Sequence, residues 1–118
     1  MENEFLNLIR TRRSCRKYKT EQVDDRLLEE VLKAGTYAPT GHGSQAPYIV
    51  AVQNSGQRAA LSRMNAEVMG VTSDPYYGAP TIILVFAPSD YANAFQDGSC
   101  VLENMMLAAH AKSEAKRS

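Results

Sequence analysis

Arg12, Arg13, Ser14 and Arg16 bring three guanidiniums and one hydroxyl into five consecutive positions. Guanidiniums meet phosphate oxygens in bidentate pairs, and a serine hydroxyl with nearby backbone N–H groups fills the remaining acceptor sites. The set is suited to a phosphate group; a solvated basic turn is the alternative reading of the same residues. A second segment, Ala38-Pro39-Thr40-Gly41-His42-Gly43-Ser44-Gln45-Ala46-Pro47, is loop throughout, its backbone shaped by two glycines and two prolines. His42 in that loop reads as an exposed histidine. His110 reads as a surface residue whose charge suits the end of a helix. Cys15 lies beside the arginines, but no histidine or second cysteine is near it in sequence, so no nucleophilic role is expected. Tyr76 and Tyr77 fit an aromatic substrate pocket and a turn packed on a sheet equally well.

These residues must be held by regular elements. Phe5, Leu8 and Ile9 share one face of a short helix that ends near the arginines, where cations favour the helix dipole. Asp24 or Asp25 caps a second helix with an apolar stripe at Leu27, Leu28, Val31 and Leu32, and Pro39 bounds it. Tyr48 to Val52 reads as a buried strand and Thr81 to Ala87 as a stronger one. A helix from about Gln57 to Met69 and a turn at Asp74-Pro75-Tyr76-Tyr77-Gly78 lie between them. The last helix spans about Asp97 to Ala111 and is apolar around nearly its whole circumference, with Met105 and Met106 as core filler. Burying it on every side is hard within a short chain, so part of its surface is expected to meet a second subunit.

Composition narrows the function classes. The chain has 118 residues, 44% of them hydrophobic and 22% charged, which describes one ordinary globular domain or a large part of one. Lys plus Arg equals Asp plus Glu at 13 each, and a balance of this kind argues against a nucleic-acid partner. Two widely separated cysteines make no metal-like spacing, so no metal site is expected and a reduced, cytoplasmic setting is the simplest reading. Neither a signal peptide nor a membrane span is expected. Two strands alone are too few for a stable sheet, and residues 112–118 form a polar tail, so the chain reads as a domain cut short.

The order Arg-Arg-Ser-x-Arg-x-Tyr, capped helix, Ala-Pro-Thr-Gly with Ser44-Gln45, strand, then Asp97-Gly98 followed by Asn104-Met105-Met106-Leu107-Ala108-Ala109 resembles the FMN-dependent nitroreductase family. The resemblance covers roughly residues 3 to 111. It implies an α+β fold in which a central sheet is flanked by helices in a three-layer α/β/α arrangement, incomplete in this chain. Residues 1–111 would be the N-terminal portion of that domain. It also implies a homodimer with FMN at the subunit interface. By the same resemblance, Arg12, Arg13, Ser14 and Arg16 hold the FMN phosphate and ribityl chain, with Arg16 reaching the pyrimidine edge, where a cation stabilises the reduced flavin. Ser44 and Gln45 lie against the isoalloxazine ring, from the other subunit.

The implied activity is transfer of hydride from NAD(P)H through the flavin to a small-molecule acceptor such as a nitroaromatic or a quinone, with the flavin carrying the chemistry. No side chain is assigned as a catalytic acid or base. The chain departs from the family pattern in two places. Gly43-Ser44-Gln45-Ala46-Pro47-Tyr48 stands where the family has Asn-Ser-Gln-Pro-Trp, which removes one amide and shifts the proline. Lys112-Ser113 stands where the family runs on into Gly-Leu-Gly and further strands. The alternative these departures raise is a truncated, catalytically inactive flavin-binding or dimerisation module of the same family.

Overall fold

Asn3 opens the first helix, its side chain accepting the Leu6 N–H at 3.2 Å in place of an intrahelical partner. The computed structural model describes residues 3–117. From the N-terminus these form α1 (Glu4–Thr11), α2 (Asp25–Thr36), a 3-10 turn (Gly41–Gly43), β1 (Tyr48–Val52), α3 (Ser55–Met69), β2 (Ile82–Phe86) and α4 (Ala94–Arg117). The two strands pair antiparallel, with the rings of Tyr48 and Phe86 stacked at 5.5 Å between centroids. Helices together with an antiparallel pair make the chain α+β, as the sequence implied.

Asp24, not Asp25, caps α2, accepting the Arg26 N–H at 2.8 Å. Asn54 caps α3 through the Gln57 N–H, two residues earlier than the apolar pattern indicates. Gly70, at φ 70°, ends α3 in the left-handed conformation and lets the Val71 N–H return to the Ala66 carbonyl at 3.0 Å. The last helix is longer than the expected span of about 97 to 111, because the Ala, Lys and Glu residues that follow are good helix formers.

Two sets of residues pack as compact units. Among the described residues the first comprises 3–13, Asp24–Ile49 and 85–117. In it α2 lies along α4, and Val101 and Met105, one turn apart on α4, are buried together with Ala38. Fully burying such side chains contributes about 1.5–3 kcal/mol each. Asn104 Nδ2 donates to the Ala34 carbonyl at 3.0 Å, satisfying an acceptor near the C-terminal end of α2. Lys112 pairs with Glu30 of α2. Thr11 donates its hydroxyl to Asn7 O at 2.7 Å and meets His110 Nε2 at 2.9 Å. The Thr11 proton is thus engaged, and Nε2 is the donor. His110 is therefore a half-buried contact between α1 and α4 rather than the free surface residue its position suggested.

Burial of α4 on all sides does not occur within this chain. Leu102 and Met106 remain about two-fifths exposed and Phe95 almost wholly so. The expected buried strand β1 is likewise buried only at Val52, with Tyr48 and Val50 exposed. Among the described residues each strand has one sheet neighbour, which leaves strand surface uncovered.

Gly35 sets the closeness of α2 to its neighbours: an added Cβ would stand 2.8 Å from Ile49 Cδ1 and 2.9 Å from Met105 Cγ. Ile49 Cδ1 ends its side chain, but Met105 Cγ lies near the backbone of a buried residue, so Gly35→Ala should cost about 1 kcal/mol or more through overpacking. Gly35→Leu should lose about 2 kcal/mol or more through overpacking. Urea denaturation of the two variants checks the contrast.

The second unit comprises Ser14–Val23 and Val50–Leu84. Its polar centre is Asp74, which accepts from Arg58 Nη2 at 2.6 Å, Ser62 Oγ at 2.9 Å, and the N–H groups of Tyr76 and Gly78 at 2.9 and 2.8 Å. Burial works to raise the Asp74 carboxyl, but the hydrogen bonds from Arg58, Tyr76, Gly78 and Ser62 outweigh it and hold the group well below the ordinary carboxylate range. Asn65 bonds the Tyr76 hydroxyl, so Tyr76 belongs to the packed turn. Gln22 joins the ends of both strands, with its Nε2 on Pro80 O at 3.0 Å and its Oε1 accepting from the Thr81 hydroxyl at 2.6 Å and from Gln53 Nε2, beside β1, at 3.2 Å.

Candidate functional site

The basic stretch begins where α1 stops. Arg12 caps α1 and extends the backbone (φ −59°, ψ 134°), its N–H reaching the Leu8 carbonyl. Arg13 Nη1 folds back onto the carbonyls of Arg10 and Arg12, both at 2.9 Å, which anchors one end of its guanidinium. Arg12 Nε stands 3.9 Å from Glu103 Oε1, a long and exposed pairing worth about 0–1 kcal/mol. Arg12 thus already faces a carboxylate, whereas the ion pairs among the described residues involve neither Arg13 nor Arg16. Arg12 and Arg13 belong to the first unit, Ser14 and Arg16 to the second. In the second unit the Tyr18 hydroxyl donates to the Cys15 carbonyl at 2.8 Å and Cys15 Sγ to the Lys17 carbonyl at 3.1 Å, so local side-chain contacts hold this irregular part of the stretch. Ser14 and Arg16 are exposed. The exposed Ser14 hydroxyl and Arg16 guanidinium, both donors, have the chemistry that a phosphate monoester accepts.

Ser44 and Gln45 lie in the first unit, on a loop under conformational strain. His42 and Gln45 adopt left-handed backbone (φ 56° and 52°), with Gly43 between them at φ 63°. Side-chain-bearing residues hold such angles only where their surroundings impose them, at a cost of order 1–3 kcal/mol each. Part of the constraint is local: Gly43 N–H bonds the Thr40 carbonyl, Ser44 N–H the Gly41 carbonyl, and Gln45 N–H the Thr40 hydroxyl oxygen at 3.0 Å. The rest comes from the opposite end of the chain. Asp97, in the first turn of α4 and 6% exposed, accepts the Gly41 N–H at 3.0 and 3.2 Å on its two oxygens and the Tyr91 hydroxyl at 2.6 Å. Tyr91 Oη lies 2.9 Å from Ser44 Oγ and 3.2 Å from the Gly41 carbonyl.

The proton order in this chain follows from its lengths. Tyrosine has one hydroxyl proton, and the short contact with the Asp97 carboxylate is the strongest acceptor available to it. Tyr91 Oη is then an acceptor toward Ser44, whose own proton points to Tyr91. Ser44 Oγ is left with its lone pairs for whatever approaches the loop. Beside the loop, a groove of about 520 Å³ is lined by the end of α2, Thr40, Gln45, Pro47 to Ile49 and Val101. Its volume falls within the range of small-molecule sites.

The structure therefore places Ser44 and Gln45 together on one clamped loop, with Arg12 and Arg13 in the same unit. Asp97 and Tyr91 were not among the residues singled out for binding. Asp97 stood in the family motif without a role, and nothing in the spacing of Tyr91 marked it. His42 is exposed, as expected of a loop histidine.

The nitroreductase family model matches residues 9–113. A curated relative from Archaeoglobus fulgidus, described as "Putative NADH dehydrogenase/NAD(P)H nitroreductase", is 30% identical over 109 residues, covering 90% of this chain and 61% of its own length. The chain thus spans less than two thirds of that relative. Among solved structures, a nitroreductase with bound FMN from Bacteroides fragilis superposes with a TM-score of 0.84 at 31% identity, over 94% of this chain and 66% of its own. A nitroreductase with bound FMN from Desulfitobacterium hafniense gives 0.83 at 30% identity, over 95% and 67%.

Proposed function

From membership of the nitroreductase family, to which this chain belongs, we propose that it is an FMN-dependent oxidoreductase acting as a cytoplasmic homodimer, with NAD(P)H as donor and a small nitroaromatic, quinone or similar acceptor. The observation that carries this reading is the exposed donor set Ser14 and Arg16, Arg16 free of ion pairs among the described residues and both lying inside the region the family model matches. Solved relatives of similar fold bind FMN, whose phosphate monoester is the chemistry that set fits.

When bound, FMN supplies the redox step, taking hydride from the nicotinamide and delivering reducing equivalents to the acceptor. The chain's residues bind and orient. Arg13 and Arg16, with Arg12 in a lesser share because Glu103 faces it, neutralise the phosphate, and Ser14 adds a hydroxyl donor. Arg16 also brings positive charge to the pyrimidine edge of the ring. Ser44 and Gln45 border the isoalloxazine of the partner subunit. No proton transfer to or from a side chain is required, and none is assigned.

Incubation of the purified chain with FMN followed by gel filtration tests the proposal. The expected result is a yellow peak at the size of a dimer, bleached by NADH or NADPH. A colourless peak overturns the cofactor assignment, and a yellow peak that no nicotinamide bleaches overturns the donor.

A further inference from the structure

We propose that Asp97 is a positioning residue for the flavin-facing loop, acting through Gly41 and Tyr91 to hold Ser44 as a hydrogen-bond acceptor; the inference rests on the FMN reading above. A carboxylate this deeply buried is costly unless its lone pairs are met. Here the Gly41 N–H and the Tyr91 hydroxyl meet them, and the first turn of α4 adds a favourable dipole. What the carboxylate receives is not drawn from its own helix. The Gly41 N–H comes from the start of the strained turn, and the Tyr91 hydroxyl is the one that touches Ser44. One buried charge thereby controls both where the loop begins and which way the Ser44 proton points.

Gly41 is part of the device. A Cβ there would stand 2.9 Å from Tyr91 Oη and closer still to the Asn93 amide, so a larger residue displaces the side chains of the clamp. Downstream, His42, Gly43 and Gln45 all hold left-handed angles. Such a backbone relaxes when its anchor is removed, and Gln45 moves with it. Stability and positioning are separable, because α2 and α4 also meet through Val101, Met105 and Asn104, away from the loop.

Asp97→Asn keeps the shape but removes the charge that orders the hydroxyl protons, and Tyr91→Phe removes only the hydroxyl link to Ser44. In the full FMN-free chain, the Gly41 amide should exchange its hydrogen about tenfold faster in Asp97→Asn, the loss of one charged hydrogen bond. Both variants should bind FMN about tenfold more weakly, with a shifted flavin absorbance band, while urea midpoints report any change in overall stability. If Asp97→Asn does not fold, Tyr91→Phe carries the test alone. Unchanged Gly41 exchange in Asp97→Asn overturns the clamp. Wild-type FMN affinity and spectrum in both variants overturn its connection to the flavin. A wild-type chain that takes up no FMN overturns the proposed function itself, an outcome distinct from a wild type that binds normally and variants that match it.

Discussion

Replacing Arg13 and Arg16 together with alanine is expected to weaken FMN binding by about a hundredfold or more. A hydrogen bond to a charged group contributes about 1.5–3 kcal/mol, so two guanidiniums on one phosphate supply about 3–6 kcal/mol. The lower end of that range is already more than a factor of a hundred in affinity. Lysine at the same two positions should recover part of the loss, because it restores charge without the planar fork that meets two phosphate oxygens at once. The apo protein should be little affected. Among the described residues Arg16 makes no ion pair, and Arg13 contributes the two contacts to the carbonyls of Arg10 and Arg12 at the end of α1. Quenching of flavin fluorescence, titrated at low and high salt, gives the affinities. Wild-type affinity in the double alanine variant would remove the proposed anchor, and the assignment of the basic stretch with it.

The second large effect concerns stability, in the unit that holds Asp74. Asp74→Ala should cost about 2–3 kcal/mol, since it strands the Arg58 guanidinium, only 17% exposed, and leaves the Tyr76 and Gly78 N–H groups without their acceptor. The turn it organises includes Tyr77 and Gly78 at φ 54° and 73°, conformations that the carboxylate helps to impose. The same group makes stability depend on pH in a defined direction. Its folded-state pKa lies below the ordinary value of 3.8, so its contribution is complete above that value and is lost as pH falls through and below it. Protonation there costs the native state more than the unfolded chain. Asp74→Asn should therefore be less stable than wild type at neutral pH, and the difference should shrink as pH drops below 3.8. Urea denaturation at pH 7 and pH 3 measures both arms. An equal gap at the two pH values would show that the carboxylate's charge is not what stabilises the turn.

Much of the fold was readable in advance because its signals are local. Asp24 or Asp25 before an apolar stripe, Pro39 after it, and β-branched or aromatic runs at residues 48–52 and 81–87 each report on a few neighbouring residues, and α2, β1 and β2 (Ile82–Phe86) formed where those signals lie. The errors fell at positions governed by contacts distant in sequence. Exposure of Tyr48 and Val50 depends on which neighbours cover each face of β1, and periodicity alone carries no such information, whereas the exposed Leu102 and Met106 on α4 agree with a helix too apolar to be covered within one short chain. The partner of His110 likewise lies beyond any local signal, because Thr11 is 99 residues away.

For the site, residue type and order alone mark Arg12, Arg13, Ser14, Arg16, Ser44 and Gln45 as matching the pattern of the family. Family membership was accordingly legible from the chain of letters. The arrangement that clamps the loop was not. Tyr91 lies 47 residues from Ser44, and Asp97 lies 56 from Gly41; no spacing rule connects them. They meet only once α4 has packed against α2, because a hydrogen bond depends on distance and direction in space, and both are set by how helices and loops come together rather than by separation along the backbone.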